Sequence, residues 1–453
     1  MDPATPIKRS AGYALSAYLW TGACVASLTM GVQAATAPLS ILRSGDSQVE
    51  ISWPTIYGLN YQLQTNNDLS ATWIDFDDPI IGTGTTVSVP ASTLGTPKRF
   101  FRLKPPVADT ITAVYSPATD ILIVNGGSLA NTIVITRDAA GVLRINNGGV
   151  PITGGTATTA NTVRIDILGG GGNDEIALHE NPGALPPARI FGEGGNDTII
   201  GGSGADFIDG GIGNDRLYGR SGADNLTGGD GADTLIGGGE DDQISGGNQD
   251  DQIIFNPGDD NDLIEGDAGT DTITIIGQNT PESYLVSVPA SRVRFERDSV
   301  FPFALDIGTA EHLVLNANGG DDTFSTTGNL AALIRITVYG GAGNDTLSGS
   351  NGPDILDGGD DIDQIDGQQG IDTIFGGNGD DVIQWDPGDG SDFIEGQGGQ
   401  DTLLFNGNAS SEIITVSPNG GRVTLSRNIG AILLDLNDVE TLYLNLLGGN
   451  DQL

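Results

Sequence analysis

"GEGGNDTII GGSGADFID GGIGNDRLY GRSGADNLT GGDGADTLI GGGEDDQIS GGNQDDQII" fills residues 192–254 as seven nonapeptides without a gap. The sixth place of each is aspartate, from Asp197 and Asp206 to Asp242 and Asp251. The eighth is apolar: Ile199, Ile208, Leu217, Leu226, Leu235, Ile244 and Ile253. An eleven-residue unit, "FNPGDDNDLIE", interrupts the series before "GDAGTDTIT" resumes it. The grammar returns at residue 340 as GGAGNDTLS, GSNGPDILD, GGDDIDQID, GQQGIDTIF and GGNGDDVIQ, and closes with "WDPGDGSDFIE" and "GQGGQDTLL". A period of this kind is read before any fold is assigned, because stacked repeats share a core that no single unit has.

Glycines at the first, second and fourth places permit positive φ and close backbone approach. Six residues are therefore expected to turn while the last three run as a short strand. Two units then make one coil of a flattened helix of parallel strands, and residues eighteen apart stack. Asp197 falls over Asp215, and Asp206 over Asp224, at about the ~4.8 Å strand spacing. Two carboxylates so placed repel by ~0.9 kcal/mol even in bulk water. One buried Leu or Ile per unit contributes ~1.5–3 kcal/mol, against an ordering cost of ~1–2 kcal/mol for each residue fixed. The arrays are thus expected to need a cation in order to fold. A hard divalent ion with many oxygen ligands suits aspartates beside glycine carbonyls, and calcium tolerates irregular geometry better than magnesium does. Zinc and copper are disfavoured, since the arrays contain neither Cys nor His.

Both arrays resemble the RTX, or hemolysin-type, calcium-binding repeats, which fold as a parallel β-roll. The resemblance implies several bound Ca2+ ions. Carried over position by position, it implies ligand aspartates at Asp197, Asp206, Asp215, Asp224, Asp233, Asp242, Asp251 and Asp271, and at Asp345, Asp354, Asp363, Asp372, Asp381 and Asp401. Asp262 and Asp392 join them if the eleven-residue units bulge. Glu240, Gln249 and Asp361 replace the fourth-place glycine, where a β-carbon resists the glycine conformation, so weaker or empty sites are expected at those turns.

The segments leading into the arrays also match one another: "NTVRIDILGGGGNDEI", "AEHLVLNANGGDDTF" and "VETLYLNLLGGNDQL". They carry Asp174, Asp322 and Asp451. The chain reads as two complete modules and a third that stops where its array should begin. That stop fits either a fragment of a longer product, the expected case, or a final lead-in serving as a cap.

Before the modules, residues 1–34 read as a secretory signal peptide: Lys8 and Arg9, an apolar stretch holding the lone Cys24, and Val32-Gln33-Ala34 ahead of the cleavage point. Residues 35–105 alternate as in a small antiparallel β-sandwich around Trp53 and Trp73. This segment resembles a fibronectin type III-like module through its Trp-bearing strand, "YQLQ" and "RFFRLK". The expected boundaries are 1–34 signal peptide, 35–105 sandwich, 106–191 lead-in, 192–276 first array, 277–339 second lead-in, 340–405 second array and 406–453 third lead-in. The fold class is all-β.

Sixty acidic against 19 basic residues give a formal charge of -41, which argues against nucleic acid and anionic membranes as partners and for cations. No apolar or amphipathic membrane-inserting segment follows residue 34. Only His179 and His312 exist, with no HExxH and no GxSxG, so zinc-protease and lipase chemistry are not indicated. His312 reads as a strand residue, Arg216 and Arg220 as solvated charges, and Phe255 and Trp385 as corner-packing aromatics, with exposed carbohydrate stacking as the alternative. The sequence is read as a non-catalytic, secreted bacterial calcium-binding repeat protein, folding on extracellular Ca2+, with a structural, cell-surface, matrix or adhesive role and a polysaccharide among its candidate partners. The alternative is a calcium-dependent polysaccharide lyase or epimerase on a β-helix scaffold.

Overall fold

The computed structural model describes residues 110–298 and 302–453 in full, and between residues 40 and 104 the backbone of strands. The signal-peptide reading lies outside the described residues. In the sandwich region, Gln48–Pro54 pairs antiparallel with Ser40–Arg43 and Thr86–Ser92, and Asn60–Asn66 pairs antiparallel with Phe100–Lys104; the rest of that reading lies outside the described residues. The chain divides into two compact units. One holds residues up to Ile111 with Gly126–Asn131 and Gly170–Asn173, and the other holds the remainder.

In the larger unit, alternate nonapeptides are dealt to two long parallel sheets. One carries Thr198–Ile200, Arg216–Ser221, Thr234–Gly239, Gln252–Phe255 and Thr272–Ile276. The other carries Ala188–Gly194, Phe207–Ile212, Asn225–Asp230, Gln243–Asn248 and Leu263–Ala268. The register is eighteen residues, with Ile199 beside Leu217 and Ile208 beside Leu226. The architecture is an all-β parallel roll, with no α-helix among the described residues. Eighth-place side chains turn inward and form the core, from fully enclosed Ile199, Leu217 and Leu235 to Ile244 at 4% exposure.

Several strands run longer than the three residues expected. Phe207–Ile212 continues through the first three places of the next unit, so the turn is confined to the middle of the repeat. First-place glycines such as Gly192 and Gly210 do not adopt positive φ, whereas Gly211 (φ 103°) and Gly213 (φ 134°) at the second and fourth places do. The first place is held by close approach instead. Glu240, Gln249 and Asp361 adopt the left-handed conformation in spite of their β-carbons, at φ 73°, 78° and 81°, so these turns keep their shape at a local strain of ~1–2 kcal/mol each.

The second lead-in lies in the same sheets as the arrays. Ser283–Ser287, Val293–Arg297 and Phe303–Gly308 form an antiparallel meander, with Leu263–Ala268 parallel to its last strand and Thr323–Thr327 parallel to its first. A matching meander, Ile414–Asn419, Arg422–Arg427 and Ile432–Asn437, follows Phe393–Gly398. Phe255 and Trp385 pack beside these meanders. Phe255 lies 4.6 Å from Phe303, and Trp385 stacks on Phe405 at 4.3 Å while its indole N–H donates to Gly390 O at 2.9 Å. Both Phe255 and Trp385 are buried, so the corner reading holds and the carbohydrate-stacking alternative is withdrawn. Arg220 is exposed and donates to Leu178 O, as a solvated charge would; His312 is half-buried on its strand.

Candidate metal centre

Each array aspartate stands just before a strand, where the turn ends. Its own backbone N–H lies outside the sheet ladder and requires a partner. The carboxylate one coil further on supplies it. Asp197 N–H donates to Asp215 Oδ1 and Asp215 N–H to Asp233 Oδ1, both at 2.7 Å. Asp233 N–H then reaches Asp251 Oδ1 at 2.8 Å, and Asp251 N–H reaches Asp271 Oδ1 at 2.9 Å. On the other sheet the row runs Asp206, Asp224, Asp242, Asp262, with links of 2.7, 2.7 and 2.8 Å. In the second array Asp345, Asp363, Asp381 and Asp401 are linked at 2.7, 2.8 and 3.0 Å, and Asp354, Asp372 and Asp392 at 2.8 and 3.0 Å. The links to Asp262 and Asp392 span twenty residues rather than eighteen. The eleven-residue units thus absorb their two additional residues without breaking the row.

The second carboxylate oxygen has a different environment. Oδ2 of Asp197, Asp215, Asp224, Asp233, Asp242, Asp251, Asp262, Asp271, Asp345, Asp363, Asp372, Asp381 and Asp401 is buried without a hydrogen-bond partner. Asp392 is not among them, and Asp206 and Asp354 depart because the N–H groups of Gly202 and Ser350 donate to their Oδ2 atoms. In those two coils the fourth-place glycines, Gly204 and Gly352, do not take positive φ, and the turn closes onto its own carboxylate.

Except at Asp262, whose unit begins with Phe255, the orphan oxygens face the first-place glycines. A β-carbon on Gly246 would lie 2.5 Å from Asp251 Oδ2 and 2.7 Å from the carbonyl oxygen of Gly266, one coil on. At Gly376 the same distances, to Asp381 Oδ2 and Gly396 O, are both 2.7 Å. Only glycine leaves this space open, and a carboxylate oxygen and a carbonyl oxygen border it. Both are acceptors, so what they lack is positive charge.

Burial makes the lack costly. None of the array aspartates named above is more than 4% exposed. Desolvation pushes Asp197, Asp224, Asp262 and Asp372 up to about 8, and Asp215, Asp242, Asp251 and Asp363 up to about 7. Neighbouring carboxylates push in the same direction, while the donated backbone N–H opposes it. One pKa unit is ~1.4 kcal/mol, so holding the rows ionised with nothing added costs several kcal/mol per aspartate.

This donor set fits calcium. The oxygens are hard, each coil offers backbone carbonyls beside a carboxylate, and unpaired buried oxygens await a cation. Among the described residues no three His, Cys, Asp or Glu side chains converge on one point; an ion here would be held by carboxylates from stacked turns together with main-chain oxygens. Bound calcium would supply the positive charge between coils, and the protein's part is to hold Oδ1 on the preceding N–H so that Oδ2 stays aimed at the glycine.

Two acidic residues escaped the nonapeptide pattern. Asp271 N–H donates to Glu311 Oε2 and Asp401 N–H to Glu440 Oε2, each at 2.8 Å, so glutamates extend rows that appear to end. The shared frame of "AEHLVLN" and "VETLYLN" was the available signal, since each places an acid directly before a strand. Asp322 of the lead-in also joins a row, with its N–H on Asp345 Oδ1 at 2.7 Å and its own Oδ2 unpartnered.

Comparison with protein families agrees with the geometry. The model of the RTX calcium-binding nonapeptide repeat (4 copies) matches residues 189–217, 218–253, 227–261, 258–274, 337–365, 357–384 and 388–409. No curated protein matches the chain.

Proposed function

We propose, from RTX calcium-binding repeats set in an all-β parallel roll, that the chain is a secreted bacterial protein whose arrays fold when they meet extracellular calcium. In this reading it acts as a structural, cell-surface or adhesive element without catalysis of its own, and Asp197 to Asp271 with Asp345 to Asp401 are the calcium ligands. The observation that carries the reading is the row of buried Oδ2 atoms facing glycine-bordered spaces. Extracellular calcium modules bind at ~10⁻⁴–10⁻³ M, a level found outside cells and not inside them. The arrays would therefore stay unfolded during synthesis and stiffen after export. No helix among the described residues is long and apolar enough to cross a membrane. The sandwich would present the roll, into whose sheets the lead-in strands are built.

The test is a calcium titration of the chain followed by far-UV circular dichroism, with magnesium in parallel. A cooperative gain of β signal at ~0.1–1 mM calcium and none with magnesium is the expected result. A full β signal in chelator would overturn the folding switch.

A further inference from the structure

Two coils that follow the aspartate arrays keep the register of the rows while changing their chemistry. Glu282 N–H donates to Asp322 Oδ1 at 2.7 Å and Glu412 N–H to Asp451 Oδ1 at 3.0 Å, as an array aspartate would. The carbonyls of Glu282 and Glu412 accept from Thr323 and Gln452, both at 2.9 Å. Five residues before each glutamate stands a glycine, Gly277 or Gly407, as Gly266 stands before Asp271. A β-carbon on Gly277 would lie 2.9 Å from Glu282 Oε2 and 2.6 Å from Ala317 O. Residues 277–285 and 407–415 are therefore nonapeptides in disguise, with glutamate in the sixth place.

Their carboxylates differ from those of the arrays in one respect: they are satisfied. Arg297, from the strand antiparallel to Ser283–Ser287, forms an ion pair with Glu282 at 3.0 Å, and both side chains are 2% exposed. Tyr284 Oη and the N–H of Gln278 donate to the other oxygen, Oε2. Arg427 holds Glu412 through Nε at 2.8 Å and through Nη2, with exposures of 4% and 0%. Each guanidinium also lies over an aromatic face, Arg297 4.5 Å from Phe303 and Arg427 5.3 Å from Trp385.

We propose that these two coils carry their cation within the chain: Arg297 and Arg427 occupy the role that an ion from solution fills in the arrays. The meanders return a strand across the coil in order to place that charge. The coils at 277–285 and 407–415 then need no calcium, take none up, and give the arrays ordered surfaces on which to stack. The inference rests on the calcium reading of the aspartate rows.

The test uses the full chain, with bound calcium counted by elemental analysis at saturating free calcium and thermal unfolding followed by circular dichroism in chelator. Arg297→Met strips the charge and leaves Glu282 buried. It is expected to bind one more calcium than the parent, to shift the calcium midpoint of folding upward, and to lose the thermal transition that the meander retains in chelator. Glu282→Gln/Arg297→Met removes both charges and is expected to restore the parent's calcium count and the chelator transition. Should Arg297→Met fail to fold at any calcium level, recovery in the double variant still supports the proposal. Equal damage in single and double variants would overturn it, as would an Arg297→Met chain with the parent's calcium count and unchanged melting. If the parent itself binds no calcium, the reading of the arrays fails, and the single-versus-double comparison in chelator still decides the role of the arginine.

Discussion

Between Gly246 and Asp251 a carboxylate oxygen meets a glycine and a carbonyl and has no donor; between Gly277 and Glu282 the same backbone frame encloses a carboxylate with an arginine and a tyrosine hydroxyl upon it. The two coils stack in one roll with one register. They differ in where their positive charge comes from. Around Ile253 each unit contributes one enclosed apolar side chain, whereas the meander adds Tyr284, Phe295 and Phe303. The comparison teaches that one roll geometry accommodates either source of charge; in the proposed reading a coil with an internal cation and an aromatic core stands without calcium, and a glycine-aspartate coil does not.

Removing calcium should produce the largest contrast. Hydrogen exchange in chelator is expected to show array amides such as those of Leu217, Leu235 and Ile374 exchanging as in an unfolded chain, while Phe295, Leu305, Leu425 and Leu434 retain protection. Uniform exchange across both regions would erase the distinction.

Acid should narrow it. Burial raises every array carboxyl above its ordinary value of 3.8 in the folded state, Asp233 to about 6, Asp215 to about 7, and Asp197 and Asp372 to about 8. A raised carboxyl stabilises the ion-free fold fully below its unfolded value, and that contribution is lost as pH rises through the folded value. In chelator, β signal is therefore expected to grow as pH falls from 8 to 5, opposite to the behaviour of ion-paired carboxylates. A flat profile over that window would show that desolvated aspartates do not limit folding.

A single methyl group probes the glycine-bordered space. Gly246→Ala places a β-carbon against Asp251 Oδ2 and Gly266 O, with an expected loss of ~1–3 kcal/mol in calcium and a weakened affinity. Gly421→Ala, at the tip of a meander with nothing within 4 Å, should stay within ~0.5 kcal/mol of the parent. A gain smaller than the Gly246→Ala loss is expected from Gln249→Gly, which relieves a φ of 78° and should raise the array's melting point by the equivalent of ~0.5–1 kcal/mol, since glycine accepts this conformation without strain.

The roll was largely legible in the sequence because its determinants are periodic. Nine-residue spacing gave the alternation between sheets, the stacking of Asp197 on Asp215, and the enclosed Leu and Ile at the eighth place. What sequence left hidden depends on contacts that no period encodes. That Oδ1 caps a neighbouring N–H, leaving Oδ2 alone to face the glycine, is a matter of side-chain rotation. Arg297 reaches Glu282 across fifteen residues because a meander doubles back, and neither residue type signals a repeat. The repeat does not tell which glycines serve by left-handed backbone and which by close approach: second- and fourth-place ones such as Gly211 and Gly213 take positive φ, and the first-place ones leave room. Glu311 and Glu440 were passed over because the longer acid replaced aspartate where the surrounding glycines had already disappeared.

The aspartate rows also have a direction. Every link runs from the N–H of one coil to the carboxylate of the next, never the reverse. The aspartate carbonyls run their bonds the opposite way, accepting from the N–H of the following coil, so a cut leaves a donor and an acceptor on both sides, but carboxylates stripped of their N–H appear only on a stack's N-terminal side. Cations would be drawn to that face, and a free coil could add only head to tail.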